Sequence, residues 1–433
     1  MLGYACICEL PTTPGMAWTN LLTPLYLPRD IERCIQSRSI IFKHRHSKTM
    51  STDPHVLGSI TRQQFIQEYW QTTPLLMRGT ELAQALSADA DELAGLACEP
   101  EVESRLVLLD RDTETWHCEH GPFPESRFGS LPKADWTLLV QAVDQWLPDF
   151  AKLKDAFNFI PNWRLDDLMV SYATQGGGVG AHFDSYDVFL LQLSGARCWE
   201  IGSYCDETAA LKPHPDLKLL ETFEPEQVYQ LEPGDMLYLP PGISHRGTAT
   251  SDACMTCSIG FRAPVYRDVL QQAAALVADE LSTEQRYRDP KNSLGTDPHL
   301  IPSAVSEGLE LMWKTAAQNQ LPGSLARAFG MQVTEPRYPD LIEPSDDTDV
   351  EAITNWLKTS DQLMLEHHPS SRFAYRRVGD SAELFVDGHF YETSVTFAQA
   401  LCREHFEGLL TTDEREILID LILRGSINPQ LIS

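Results

Sequence analysis

The chain has 433 residues, 42% of them hydrophobic and 22% charged, the balance of a folded protein long enough for two or three domains. Its formal net charge of −28 repels nucleic acid and anionic membranes and favours basic partners, so no direct DNA binding and no membrane association are expected. No apolar run approaches the roughly 20 residues that cross a bilayer, no basic-then-apolar leader opens the chain, and the cysteines follow no framework spacing, which reads as reduced thiols and a cytoplasmic location.

Residues 1–49 carry six Lys or Arg against three acids and are interrupted by Pro11, Pro14, Pro24 and Pro28. They read as a disordered extension or a misassigned start, with Met50 the physiological first residue. Beyond it, Phe65, Ile66, Tyr69 and Trp70 follow helical spacing, and short helices and strands mix up to about residue 160, as in RLVLLD (105–110) and DWTLLVQAVDQWL (135–147). Between 161 and 263 the pattern becomes β. DDLMVSYA, DVFLLQL, RCWEIG, QVYQLE, DMLYLP and CMTCSIGF are short runs of branched and aromatic residues punctuated by Gly, Pro and Asp, which predict a sandwich or barrel. From 264 the period is helical: PVYRDVLQQAAALVADEL and SEGLELMWKTAAQN carry stripes suited to another helix or subunit. TEPRYPDLIEPSDDTD (334–349) reads as a linker. The tail gives a small strand-and-helix module compatible with a winged helix. With six basic and ten acidic residues in 371–433, it reads as structural or protein-binding rather than DNA-gripping.

The densest chemistry lies in GGGVGAHFDSYDVFLLQLSGARCWEIG (176–202). A His-x-Asp on a strand turns His182 and Asp184 to one face, because strand side chains alternate with period two. LEPGDMLYLPPGISHRG (231–247) brings His245 from a neighbouring strand, 63 residues after His182. Two histidines and one carboxylate make the facial set of non-haem Fe(II) oxygenases, with positions left open for a bidentate co-substrate and O₂. Asp187 and His214 compete for the third place: Asp187 falls on the opposite face of a regular strand, and His214 sits between prolines. His117 and His120 have no companion carboxylate at useful spacing, and the Cys254–Cys257 pair has no second pair, so it reads as core thiols. Arg197, entering apolar β text after a tight Ser-Gly turn, requires a carboxylate. A dicarboxylate that chelates iron through a 2-oxo acid and reaches arginine with its other end is 2-oxoglutarate. Gly176, Gly177, Gly178 and Gly180 let backbone approach the cavity mouth closely.

These runs, with CEHGPF upstream and SIGFRAP downstream, resemble the JmjC-type bacterial ribosomal oxygenases, from about Met50 to Pro264 and more weakly beyond. The resemblance implies a mainly β fold with α: a double-stranded β-helix (jelly-roll, cupin-like) over 50–263, a helical dimerisation region over 264–345 and a winged-helix-like domain over 346–433. It implies Fe(II) on His182, Asp184 and His245, 2-oxoglutarate held by Arg197 and Ser171, and O₂. Thr256 departs from the amide side chain usual in the family. The implied activity is hydroxylation of an arginine side chain on a basic ribosomal protein, the sixteenth of the large subunit, by a homodimer. An arginine substrate needs an acid. Asp167 is the candidate, on one strand face with Met169 and Ser171, while Asp166 faces the other way. The same chemistry on another side chain (histidine hydroxylation or demethylation) and a non-catalytic metal-binding cupin scaffold are the alternatives. Uncoupled 2-oxoglutarate decarboxylation on iron addition separates enzyme from scaffold.

Overall fold

The structure, a computed structural model, describes residues 54–86, 89–284, 286–289, 299–344, 350–359, 362–363, 365–404, 406–407 and 410–429. The expectations for residues 1–49 and Met50 lie outside the described residues.

The β-core runs β1 (Leu75–Met77), β2 (Ser104–Asp110), β3 (Thr115–His120), β4 (Trp136–Val140), β5 (Leu165–Ala173) and β6 (Asp187–Ser194). It continues with β7 (Arg197–Tyr204), β8 (Gln227–Leu231), β9 (Met236–Leu239), β10 (Ile243–Ala249) and β11 (Cys254–Phe261). The six quoted runs between 161 and 263 are all strands, and the segment carrying His245 after the Pro-Pro-Gly turn is β10. The order β1-β9-β6-β11-β5-β4-β2-β3 makes an eight-stranded sheet, and β10-β7-β8 makes a smaller one facing it. All pairings within them are antiparallel.

The uninterrupted apolar text of β6 follows from burial on both faces. Val188 and Leu190 face inward, packing with Trp199, Ile201 and Leu231 of the small sheet. Phe189 and Leu191 face outward into the main core with Phe65 and Phe157. Phe65 comes from the helix Arg62–Glu68, whose first turn is capped by the Thr61 hydroxyl accepting from the Gln64 N–H. Its ring is fully buried, 4.9 Å from Tyr238 and 5.3 Å from Phe189 between centroids. This apolar packing lies on the outer face of the large sheet, opposite the inner face that carries the polar groups.

After the β-core come the helix Tyr266–Asp279 and the helix Ser303–Thr334, which extends well past the expected 306–319 stripe. The 334–349 stretch is tied down in its described part: Tyr338 donates to Glu103 at 2.8 Å, and Arg337 pairs with Asp166 and Asp167. Ion pairs with the distant β5 strand, invisible to local composition, make it a strap. The C-terminal module packs the helices Val350–Thr359, Val395–Cys402 and Thr412–Leu423 on a three-stranded antiparallel sheet, Phe373–Val378, Ser381–Val386 and His389–Ser394, with its own apolar core. Arg372 stitches this module to the β-core by donating to the carbonyls of Leu165 at 2.5 Å, Trp163 at 3.2 Å and Asp166 at 3.3 Å.

Candidate functional site

His182 and Asp184 do not lie on a strand. The chain between β5 and β6 is irregular here, and His182 makes a single antiparallel bridge to His245 of β10, with N–H to carbonyl distances of 3.0 and 2.8 Å. The glycines explain the break. Gly176 and Gly180 have φ of +82° and +81°, which a side chain would strain, and a side chain at Gly177 or Gly178 would collide with the carbonyl of Trp136 or Gly247. The predicted convergence of His182, Asp184 and His245 nevertheless occurs, through the bridge and the loop rather than strand alternation.

One ligand atom from each of the three residues lies within 4.8 Å of the others. Asp184 Oδ2 is 3.9 Å from His182 Nε2 and 3.7 Å from His245 Nε2, and the imidazole centroids are 4.3 Å apart. Each Nδ1 is tied to a backbone carbonyl, Gly180 at 3.0 Å for His182 and Ile243 at 2.9 Å for His245. A carbonyl only accepts, so Nδ1 carries the proton and Nε2 keeps its lone pair toward Asp184. This is the tautomer and ring orientation a metal needs. His245 is almost fully buried, and burial, then the neighbouring His182, lowers its pKa to about 4, so the ring is neutral. Tyr186, partly exposed, stands beside this carboxylate, and partial desolvation of its hydroxyl followed by the Asp184 charge raises its phenol above the usual range.

Arg197 starts β7 on the inner face that also carries Trp199 and Ile201, and Ile201 pairs with His245 across the small sheet. Its side chain is 4% exposed, its Nε and Nη2 have no hydrogen-bond partner, and no carboxylate of the described residues lies within ion-pair distance. The neighbouring Trp199 Nε1 is also buried without a partner, 5.7 Å from ring to Arg197 and 5.8 Å between rings to His245. Three unpartnered donors beside two metal-competent imidazoles fit a bound group rich in acceptor oxygens. Ser171 lies on the inner face of β5, its hydroxyl 3.4 Å from the Thr256 carbonyl. Opposite it, Thr256 donates to Gln192 at 3.0 Å. An amide side chain is therefore present beside position 256, on β6 rather than β11.

The structure treats the remaining candidates differently. Asp187 is fully buried but faces outward, accepting from Tyr238 at 2.5 Å, Arg164 at 2.9 Å and Gln71 at 3.0 Å. It is a packing carboxylate, as its place on the opposite face implied. His214 holds its own loop: its Nδ1 accepts from the N–H groups of Asp216 and Leu217, and its Nε2 meets the Trp116 carbonyl. Met169 packs with Leu139, Leu217 and Leu219 on the inner face. Asp167 shares that face, but it already accepts from Gln141, the Ala142 N–H and Arg337, all within 3.3 Å. Burial pushes its carboxyl up to about 7 while Arg337 opposes the rise. His120 does have a carboxylate companion, Asp216 at 3.4 Å, contrary to what spacing suggested. Trp199, Gln192 and Tyr186 went unnoticed in the sequence. The signal for Trp199 was its place two residues after Arg197, hence on the same face.

Residues 152–269 match the JmjC domain family, and residues 311–427 match the ROXA-like winged helix. The "Ribosomal protein uL16 3-hydroxylase" of Escherichia coli K12 is 36% identical over 305 residues, 69% of this chain and 79% of that protein. The chain belongs to the JmjC ribosomal oxygenases. A "Probable ribosomal oxygenase" of Haemophilus influenzae is 34% identical over 261 residues, 60% of this chain and 61% of that protein. Among solved structures, E. coli YcfD covers 86% of this chain and 99% of its own, with 30% identity and a TM-score of 0.71. The YcfD complex with cobalt and 2-oxoglutarate has the same coverage and identity and a TM-score of 0.68. As a JmjC oxygenase the protein is an enzyme that uses Fe(II), 2-oxoglutarate and O₂, and its fold is the cupin-like β-core followed by a winged helix.

Proposed function

We propose that His182, Asp184 and His245 hold Fe(II), that Arg197 and Ser171 hold 2-oxoglutarate, and that the enzyme hydroxylates an arginine side chain of a basic ribosomal protein, the sixteenth of the large subunit. One observation carries the site assignment: two Nε2 atoms and a carboxylate within 4.8 Å share the inner wall with the buried, unpartnered guanidinium of Arg197. The substrate assignment rests on the E. coli relative named a uL16 3-hydroxylase, 79% of which this chain covers, and on the net charge of −28, which suits a basic partner.

Bound Fe(II), with O₂ and 2-oxoglutarate, supplies the oxidising power to hydroxylate an unactivated carbon, leaving succinate and CO₂. The chain's own residues orient and exclude. The carbonyls of Gly180 and Ile243 fix the two imidazole planes. Arg197 would grip the far carboxylate of the co-substrate through paired N–H donors and so set which end reaches the metal. Val188, Leu190 and Leu237 wall the cavity with apolar surface that keeps water away from the reacting centre. Met169, with Leu139 and Leu219, forms the apolar side against which a substrate side chain would lie. Asp167 serves a substrate guanidinium only by exchanging it for that of Arg337.

The exposed Tyr266, Leu311 and Met312 on the two long helices suit a second copy of the chain, so a homodimer is part of the proposal. The same reading places the enzyme in the cytoplasm with its ribosomal substrate. The test is to express wild type and His182→Ala in a host lacking its own copy and weigh the sixteenth large-subunit protein. One added oxygen on an arginine peptide, seen with wild type alone, is the expected result. No added oxygen in either sample would remove the substrate assignment.

A further inference from the structure

A second set of metal-competent donors lies at the edge of the large sheet, outside the iron site. Cys118 and His120 are two apart on β3 and therefore point to one face. Register identifies that face as the inner one. His120 pairs with Arg105 of β2, Arg105 with Leu139 of β4, and Leu139 with Ser171 of β5. Asp216 arrives from the loop between β7 and β8, its Oδ1 3.4 Å from His120 Nε2. One donor atom from each of Cys118, His120 and Asp216 lies within 4.8 Å of the others. An exposed His–Asp pair contributes little by itself and would not account for the thiol as third member.

The loop is held in place independently of this contact. His214 accepts from the N–H groups of Asp216 and Leu217 at 3.0 and 2.9 Å and meets the Trp116 carbonyl at 3.2 Å. Leu217 and Leu219 insert beside Val107 and Leu139. The Leu220 N–H donates to the Ala181 carbonyl at 2.9 Å, next to His182 in the chain. Asp216 is thus presented to β3 by a loop that also adjoins the iron-site segment.

We propose that Cys118, His120 and Asp216 form a second, peripheral site for a borderline divalent transition metal of the zinc type, with solvent completing its coordination. Thiolate, imidazole and carboxylate on three corners, with an open fourth, match the donor preferences of such an ion. Burial raises the Cys118 thiol above its usual pKa, so occupancy releases one proton and weakens as pH falls. Arg105 is the nearby cation that opposes binding. An ion here pins the Leu217–Leu219 wall of the cavity mouth to β3, and so ties metal availability to the shape of the substrate entrance. This inference does not depend on the proposed substrate.

Cobalt titration of the metal-free full-length protein tests it, because only a site with a thiolate gives an intense near-ultraviolet thiolate-to-cobalt charge-transfer band. The iron site has no sulfur ligand, so its failure and the failure of this proposal are read separately. Wild type is expected to take up two equivalents of Co²⁺ and to show the band. Cys118→Ser should lose the band and one equivalent, and His182→Ala should lose the other equivalent and keep the band. Asp216→Asn and His120→Ala, which retain the thiol, should need higher Co²⁺ for the same band, and they serve if Cys118→Ser misfolds. A wild-type titration without the band, or a band unchanged in Cys118→Ser, would overturn the proposal.

Discussion

Arg197 and Arg337 both lie against the β-core, yet they are satisfied in opposite ways. Two nitrogens of Arg197 are buried without any partner. Arg337 reaches Asp166 and Asp167 at 3.1 Å each, and Asp167 takes two further hydrogen bonds from Gln141 and the Ala142 N–H. A buried charge without a partner costs several kcal/mol, and a fold keeps one only where something else completes it. The Asp166–Asp167–Arg337 group is completed by the chain and holds the strap to β5. The Arg197 region, with Trp199 Nε1 and the two Nε2 atoms turned inward, is completed by ligands. Satisfaction, more than charge or burial, separates the binding region from the structural one.

This contrast breaks most sharply at the metal ligands. Asp184→Ala or His182→Ala should lower 2-oxoglutarate turnover by roughly a thousandfold or more while leaving the melting temperature near that of the metal-free wild type. Steady-state succinate release beside differential scanning calorimetry reads both. Next in size, Arg197→Met should weaken 2-oxoglutarate by about 2–5 kcal/mol, roughly thirtyfold or more in Kd by calorimetric titration. The same variant should melt higher than wild type in the absence of co-substrate, because it removes an unpaired buried charge. Equal melting temperatures would mean that Arg197 has a partner within the chain.

Arg337→Met should do the reverse. It removes the cation that pairs with Asp167, while Asp166 keeps Arg262 at 3.7 Å, and should cost about 2 kcal/mol in urea unfolding, with 2-oxoglutarate affinity unchanged. A loss of co-substrate affinity equal to that of Arg197→Met would erase the distinction between the two regions.

The smallest effect is on pH. The folded-state pKa of His245 is lowered to about 4, below the usual value of 6.5. The unfolded chain therefore binds the extra proton at this ring between those values, and the His245 contribution to stability rises with pH across that window and levels off above it. Asp167, whose carboxyl is raised to about 7, contributes the opposite slope in the same range, so the His245 part is read as a difference. Unfolding free energy from urea titrations of the metal-free wild type minus that of His245→Gln should rise between pH 4.5 and 6.5, by on the order of 3 kcal/mol at most.

The same physics marks what the sequence could disclose. β5, β6, β7, β9 and β11 were legible because branched runs between Gly, Pro and Asp leave few alternatives to a strand. Arg197 was legible because an arginine in apolar text asks for a partner. The irregular path at His182 and Asp184 was not, since it arises from Gly176 and Gly180 at positive φ and from a bridge to a residue 63 positions on. Asp167 looked free because Arg337 lies 170 residues away in text that reads as a linker. His120 looked alone because its carboxylate arrives on a loop whose position His214 sets. Local pattern disclosed the strands and which side chains needed partners, whereas the identity of those partners depended on tertiary register.

The most direct test of the account is Fe(II)-dependent conversion of 2-oxoglutarate to succinate, followed without substrate and then with an arginine-bearing peptide of the basic ribosomal protein, in wild type and in Asp184→Ala. The account predicts slow iron-dependent succinate formation by wild type, acceleration by the peptide, and neither in the variant. Succinate formed at the wild-type rate by Asp184→Ala, or none formed by wild type with iron and peptide present, would contradict it.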